Sequence, residues 1–371
     1  MTEKFEELVK SIEKNHWPVY GLEIRENGKL MHSYGDTGEG RYPIYSATKS
    51  FVSTAAGLAV EEGKFSVKES VYDYLKSEVP AYATSTQKEI LKKLTIERLM
   101  TMSVKGYRPA NFDSAYRGRV TLSDSLVLSL NIPFVRLVGK LGVERFADKL
   151  RELGLKHLNA DDADSGLGIA IGNVEVTLVE LTAAYRKLAY GGGGIFSRES
   201  SYLVSEILSG QERSSAALGH IADVVTSRFA WKTGTSSAYR DAWTIAWNPE
   251  YVIGVWCGHK RGGFGDKTLV GAKAAAPVCW KIARQLYPQN DGPWYVKPAS
   301  IKKVDVCSVS GEIASQDCPR REKGDFISGA SSPRPSRRFC RSDVFSCAQR
   351  QIVPGPHQHQ EVSRFWLSQI P

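Results

Sequence analysis

Residues 228–260, RFAWKTGTSSAYRDAWTIAWNPEYVIGVWCGHK, constrain the fold more than any other stretch of the chain. Aromatic and β-branched residues recur there in three short runs, broken near Ser236-Ser237 and at Asn248-Pro249-Glu250, which predicts a three-strand meander. A second β signal lies far upstream. VYGLEIRENGKLMHSYG (19–35) reads as two strands about Glu26-Asn27-Gly28, and Asn-Gly is the strongest short hairpin turn. The intervening sequence is helical in pattern at 46–62, 66–75, 88–102, 122–130, 143–153 and 175–190, and residues 270–287 return to a helix. Two strands, a helical insert at about 64–225, three strands and a final helix predict an α+β fold. One five-stranded antiparallel sheet has helices packed on it, with hairpin and meander joined edge to edge.

Composition narrows the classes. The chain has 371 residues and a net charge of +9, but Lys and Arg are interspersed with Glu and Asp over the first 290 residues. A mixed, solvated surface is expected, with no nucleic-acid partner. No run of 18 apolar residues occurs, so no membrane-spanning segment is expected. MTEKFEELVKSIEKNHW is a charged amphipathic helix with Phe5, Leu8, Val9 and Ile12 on one face; it has no apolar leader core, which taken literally leaves the chain in the cytoplasm. Cys257 and Cys279 sit in apolar runs and read as buried thiols, whereas Cys307, Cys318, Cys340 and Cys347 are spaced for neither a C-x-x-C metal site nor any deducible disulfide set. No cofactor and no metal site is expected. Residues 1–290 read as one domain. Residues 291–371 read as a partly disordered extension, rich in Pro, Ser and Arg at 331–343 and 353–362.

The chemistry is concentrated in three short elements. In YPIYSATKSFVSTAAG (42–57), Ser46 opens a strongly apolar helix and Lys49 lies one turn on, on the same face. A serine there is also an ordinary helix cap, and Ser-x-x-Lys recurs at Ser11, Ser85 and Ser300. A serine hydroxyl becomes a nucleophile only when a base takes its proton, and lysine is a base only when its amine is neutral. Partial burial, the helix N-terminus and a second cation would each disfavour the ammonium. Lys232, in Lys232-Thr233-Gly234-Thr235 on the first strand of the meander, is the candidate second cation. Gly234 leaves room for a substrate backbone, Thr233 or Thr235 for a substrate carboxylate, and the N–H groups of Ser46 and Thr235 for an oxyanion. Ser129 and Asn131, polar within SLVLSLNIPFV, offer a proton relay; Asn131 with Pro133 reads equally as a helix end.

Ser-x-x-Lys, Ser-x-Asn and Lys-Thr-Gly, in this order and 83 and 103 residues apart, resemble the signature of penicillin-binding proteins and serine β-lactamases. The resemblance is in two parts. Residues 1–103, with IYSATKSF, GLAVEEGKFSVKESVYDYL and LTIERLMTMS, are similar to class C β-lactamase-related serine hydrolases. Residues from about 104 to 320 are similar to the transpeptidase domain of 1C-type penicillin-binding proteins. The Tyr-x-Asn of class C enzymes does not occur, and the anchor and glycosyltransferase domain of the 1C type have no counterpart, which leaves a recombined, truncated or fused gene product as the expectation. The resemblance implies a β-lactamase/transpeptidase-like fold and a place in the cell envelope. It further implies an acyl-serine enzyme acting on D-alanyl-D-alanine stem peptides of peptidoglycan and acylated by β-lactam antibiotics. Ser46, Lys49, Ser129 and Lys232 would be catalytic, and Asn131, Thr233, Gly234 and Thr235 would bind substrate. A class C-type β-lactamase, esterase or D,D-carboxypeptidase, and a non-catalytic binding module, are the alternatives. Glu175 and Glu180, the candidate carboxylates for activating a deacylating water, read as part of a helix start.

Overall fold

The computed structural model describes residues 2–61, 111–112, 120–156, 158, 163–210, 228–236, 239–258, 268–289, 292–307, 313–314, 318 and 321–327. Strands β1 (Val19–Glu26), β2 (Lys29–Gly35), β5 (Ala230–Thr235), β6 (Asp241–Trp247) and β7 (Tyr251–Gly258) form one antiparallel sheet in the order β2-β1-β7-β6-β5. The hairpin and the meander join through β1 and β7, as expected, and β5 is left as an edge. Asn27 and Gly28 both take positive φ, 45° and 82°, which is the backbone a two-residue hairpin turn requires. At the other turn, Asn248 Oδ1 accepts the N–H groups of Glu250 and Tyr251.

The sheet is covered on both faces, and the two-residue period of each strand shows which residue meets which layer. In β6, Trp243, Ile245 and Trp247 enter one core, while Ala242 and Ala246 enter the other. The first core is shared with helices α2 (Thr48–Glu61), α4 (Ile132–Leu141), α5 (Val143–Leu153), α6 (Leu178–Ala189) and α7 (Arg198–Leu208); helix α3 (Leu122–Val127) adds Leu126. The second is shared with α1 (Thr2–Lys14), through Phe5, Leu8 and Ile12, and with α8 (Ala275–Leu286). Cys257 and Cys279 are buried there as free thiols, as the sequence suggested, and burial pushes both thiols up. Helix α2 is enclosed on all sides from Thr48 to Ala56, which explains a sequence too apolar for a surface helix.

Three elements differ from expectation. The run read as helical at 175–190 starts with a two-residue strand, β4 (Glu175–Val176), paired with β3 (Tyr42–Pro43); the helix begins only at Leu178, after a capping box between Thr177 and Glu180. The run at 122–130 ends at Val127, because Ser129 turns left-handed. Beyond residue 290, where no element was anticipated, β8 (Ile301–Cys307) and β9 (Arg321–Ile327) pair, and Ile301 and Ile327 pack on Leu203 of α7. The helices expected at 66–75 and 88–102, and the Pro-, Ser- and Arg-rich stretches at 331–343 and 353–362, lie outside the described residues. Among the described residues no helix is long and apolar enough to cross a membrane and no cluster of candidate metal ligands occurs.

Candidate active site

Strand β3 leads the chain to Ser46, and close backbone contacts fix its path. The Ile44 and Tyr45 N–H groups donate to Val174 and Gly172 carbonyls at 3.2 and 3.1 Å. Tyr45 has φ 48°, a left-handed conformation uncommon outside glycine. A Cβ on Gly172 would fall 2.0 Å from the Tyr45 carbonyl oxygen, so only glycine fits beneath this turn. Ser46 then lies in a short 3-10 turn, Tyr45–Ala47, that runs directly into α2, and it is half-buried. From α6, Tyr185 Oη donates to the Ala47 carbonyl at 2.6 Å and lies 3.1 Å from Ser50 Oγ, pinning the first turn.

Lys49 is fully buried one turn after Ser46. Its Nζ lies 2.8 Å from Ser46 Oγ and donates to the Ser129 carbonyl and to Asn131 Oδ1, both at 2.6 Å. Burial pushes its amine well below the usual lysine range. Desolvation is the cause. The bonding pattern suits the neutral form. Carbonyl oxygens can only accept, so two N–H bonds go to Ser129 and Asn131, and the remaining lone pair faces the Ser46 hydroxyl.

Ser129 reaches this network through a strained turn. It occupies the residue after the C-cap of α3, with its N–H on the Leu126 carbonyl and the Leu130 N–H on the Ser125 carbonyl. That is a Schellman ending, whose left-handed position favours glycine, yet here Ser129 holds φ 54°. Asn131 follows as the N-cap of α4, with Pro133 in its first turn, so Asn131 opens a helix rather than ending one, the other reading its sequence allowed. Strand β5 supplies Lys232, also fully buried. Its Nζ donates to Ser129 Oγ at 2.8 Å and to the Thr233 carbonyl at 2.9 Å, while Lys49 Nζ lies 3.4 Å from the same Oγ. The two amines therefore flank one hydroxyl.

Gly234 also has a structural part. A Cβ there would fall 2.3 Å from the Ile44 carbonyl oxygen, so glycine lets β5 close on the chain that delivers Ser46. By strand alternation Thr233 and Thr235 lie on the opposite face from Lys232, where the Thr235 hydroxyl accepts the Gly271 N–H at 3.0 Å. Thus Ser46, Lys49, Ser129, Asn131 and Lys232 share one network, and the two threonine hydroxyls lie outside it. Glu180 closes the α6 capping box and holds Arg41 through two bonds of 2.6 and 2.9 Å; Glu175 is exposed on β4.

Sequence reading missed two residues of this neighbourhood. Asn111, buried beside the Ser129–Asn131 turn, accepts the Asn131 N–H on its Oδ1 at 2.9 Å. Phe112 next to it meets Tyr239, of the β5–β6 turn, edge to face at a centroid distance of 6.1 Å. Pro109-Ala110-Asn111-Phe112 carries no distinctive sequence signal of either role.

A beta-lactamase family model matches residues 12–158, which include the Ser46, Lys49, Ser129 and Asn131 positions. Penicillin-binding protein 1C of Escherichia coli K12 is 31% identical over 252 residues, 61% of this chain and 31% of that protein. The chain is thus a homologue of penicillin-binding protein 1C, with a beta-lactamase family match over its first part. Penicillin-binding protein 1A of Aquifex aeolicus is 30% identical over 211 residues, 49% of this chain and 28% of that one. The chain thus spans about a third of the length of these curated relatives. Among solved structures, penicillin-binding protein 1A of Haemophilus influenzae superimposes with a TM-score of 0.61 at 16% identity, covering 85% of this chain and 54% of that one. PonA1 of Mycobacterium tuberculosis in complex with penicillin V gives 0.54 at 17% identity, covering 74% and 80%. These likenesses establish the β-lactamase-like transpeptidase fold.

Proposed function

We propose that the chain is a serine acyltransferase of the penicillin-binding kind, a D,D-transpeptidase acting on D-alanyl-D-alanine peptides of peptidoglycan and acylated by β-lactams. The observation that carries this reading is the neutral-amine arrangement of Lys49, 2.8 Å from the Ser46 hydroxyl. The Ser46 proton passes to Lys49 Nζ as Oγ bonds to the peptide carbonyl carbon. The oxyanion forms between the N–H groups of Ser46 and Thr235. Collapse breaks the C–N bond; Ser129 Oγ, between Lys49 and Lys232, gives its proton to the departing D-alanine amine and takes in its place the proton held by Lys49 Nζ, which returns to the free amine. Asn131 holds the acyl-chain amide through its Nδ2 end, its Oδ1 being on Lys49. A neighbouring peptide's amine, or water, then takes the acyl group.

Deacylation by water is slow in this reading, since Glu180 is committed to Arg41 and to the Thr177 N–H. The match to the beta-lactamase family model supports the alternative of a hydrolytic β-lactamase or esterase. D-Alanine release from a diacetyl-Lys-D-Ala-D-Ala peptide with an added amine acceptor, lost in Ser46→Ala, tests the proposal. Rapid turnover of a chromogenic cephalosporin with no amine transfer would instead favour the hydrolase.

A further inference from the structure

Helix α4 begins without the cap its sequence offers. Asparagine is among the best N-cap residues because its side chain folds back onto an N–H of the first turn. Asn131 does not do so. Its backbone is helical, φ −87° and ψ −47°, rather than extended, and its Oδ1 faces Lys49 Nζ at 2.6 Å. The first N–H groups of α4 still require an acceptor. Asn111, 20 residues upstream and only 6% exposed, supplies it: Oδ1 accepts the Asn131 N–H at 2.9 Å, with the Ile132 N–H at 3.4 Å. Pro133 brings no N–H of its own.

We infer that Asn111 is a positioning residue for the base, capping α4 from a distance so that the Asn131 side chain remains on Lys49 and the strained Ser129 turn remains between the two amines. The inference rests on the reading of Ser46 and Lys49 as nucleophile and base. A neutral amine has two N–H bonds, and only when both are held is its lone pair aimed in one direction. Here they are held by the Ser129 carbonyl and Asn131 Oδ1. Without Asn111, the half-buried N–H groups of Asn131 and Ile132 lose an acceptor, a cost that favours rearrangement. The nearest replacement is the Asn131 side chain itself, turned toward the first turn of α4, where the Phe134 N–H, now on the Asn131 carbonyl at 3.1 Å, can be shared with a side-chain acceptor. That rotation restores a cap, withdraws an acceptor from Lys49 and releases the aim of its lone pair.

The test is a double-mutant cycle on the rate of acylation by a fluorescent penicillin. Asn111→Ala is expected to slow acylation roughly 10- to 100-fold. In an Asn131→Ala background the same change should cost less than about twofold, because the side chain it positions is gone. Asn111→Asp, which keeps the Oδ1 acceptor, should recover most of the loss. Fully additive losses would make Asn111 merely structural and overturn the inference. A crystal structure of the Asn111→Ala protein gives a reading free of catalysis: Asn131 Oδ1 should leave Lys49 Nζ for the Phe134 N–H. Should that variant not fold, Asn111→Gln, which displaces the acceptor by one methylene, is read in the same way. An unmoved Asn131 overturns the inference whatever the rates. A displaced Asn131, in a protein whose wild type forms no penicillin adduct, upholds the positioning and overturns only the acyl-serine reading.

Discussion

Lys49 Nζ lies 2.8 Å from Ser46 Oγ in a setting where its other two close partners, the Ser129 carbonyl and Asn131 Oδ1, are uncharged acceptors. No charge in that set compensates the buried ammonium, so the folded chain favours the free amine.

That relationship has a pH signature. The folded protein releases the Lys49 proton well below 10.5, whereas the unfolded chain holds it to about 10.5. Acylation should therefore rise with pH along a limb that follows the free amine, with a midpoint far below 10.5. In the window between the two pKa values the unfolded state binds more protons, so Lys49 makes stability increase with pH there and decrease toward neutrality. Lys49→Met should remove that dependence and raise the neutral-pH unfolding midpoint in urea, while acylation falls by about 100-fold or more. A variant less stable at pH 7 than the parent would show that the amine is buried charged.

Ser129 carries a cost in backbone strain that its hydroxyl alone does not explain. Ser129→Gly and Ser129→Ala both delete the Oγ that Lys232 Nζ meets at 2.8 Å, but only glycine relaxes the left-handed φ of 54°. The glycine variant should be the more stable of the two by about 1 kcal/mol in chemical denaturation, with both impaired in acylation. Equal stabilities would mean that the turn is not strained.

The approach to Ser46 relies on two glycines that face backbone. Gly172→Ala would set a methyl 2.0 Å from the Tyr45 carbonyl at φ +89°, and Gly234→Ala 2.3 Å from the Ile44 carbonyl. Each should destabilise by roughly 2 kcal/mol or more and should depress acylation even by small β-lactams. Normal acylation of Gly234→Ala by a small β-lactam would return that residue to a role in substrate clearance alone.

Local rules carried the sheet and the outer helices. Asn27-Gly28 needed positive φ and had it, α5 runs from Val143 to Leu153 between Gly142 and Gly154, and the meander alternates as written. Ser46, Lys49, Ser129, Asn131 and Lys232 were legible as chemistry because polar side chains stand in apolar surroundings. What the sequence hid depends on contacts between distant segments. The β3–β4 pair is two residues long, too short for any period, and is set by backbone contacts from Ile44 and Tyr45 to 172–174. The break at Ser129 overrides helical periodicity with a serine in a glycine position. Gly234 and Asn111 each answer a neighbour remote in the chain, the Ile44 carbonyl and the Asn131 N–H. The β8–β9 pair lay in a segment whose neighbouring Pro-, Ser- and Arg-rich composition drew attention from IKKVDVC, an alternating strand.

The most direct measurement is the intact mass of the protein after exposure to benzylpenicillin, followed by peptide mapping. One equivalent of penicilloyl mass, located on the peptide containing Ser46, persisting over minutes and absent from Ser46→Ala and Lys49→Met, is the predicted result. An unmodified wild-type chain, or an adduct on any other residue, would contradict the account.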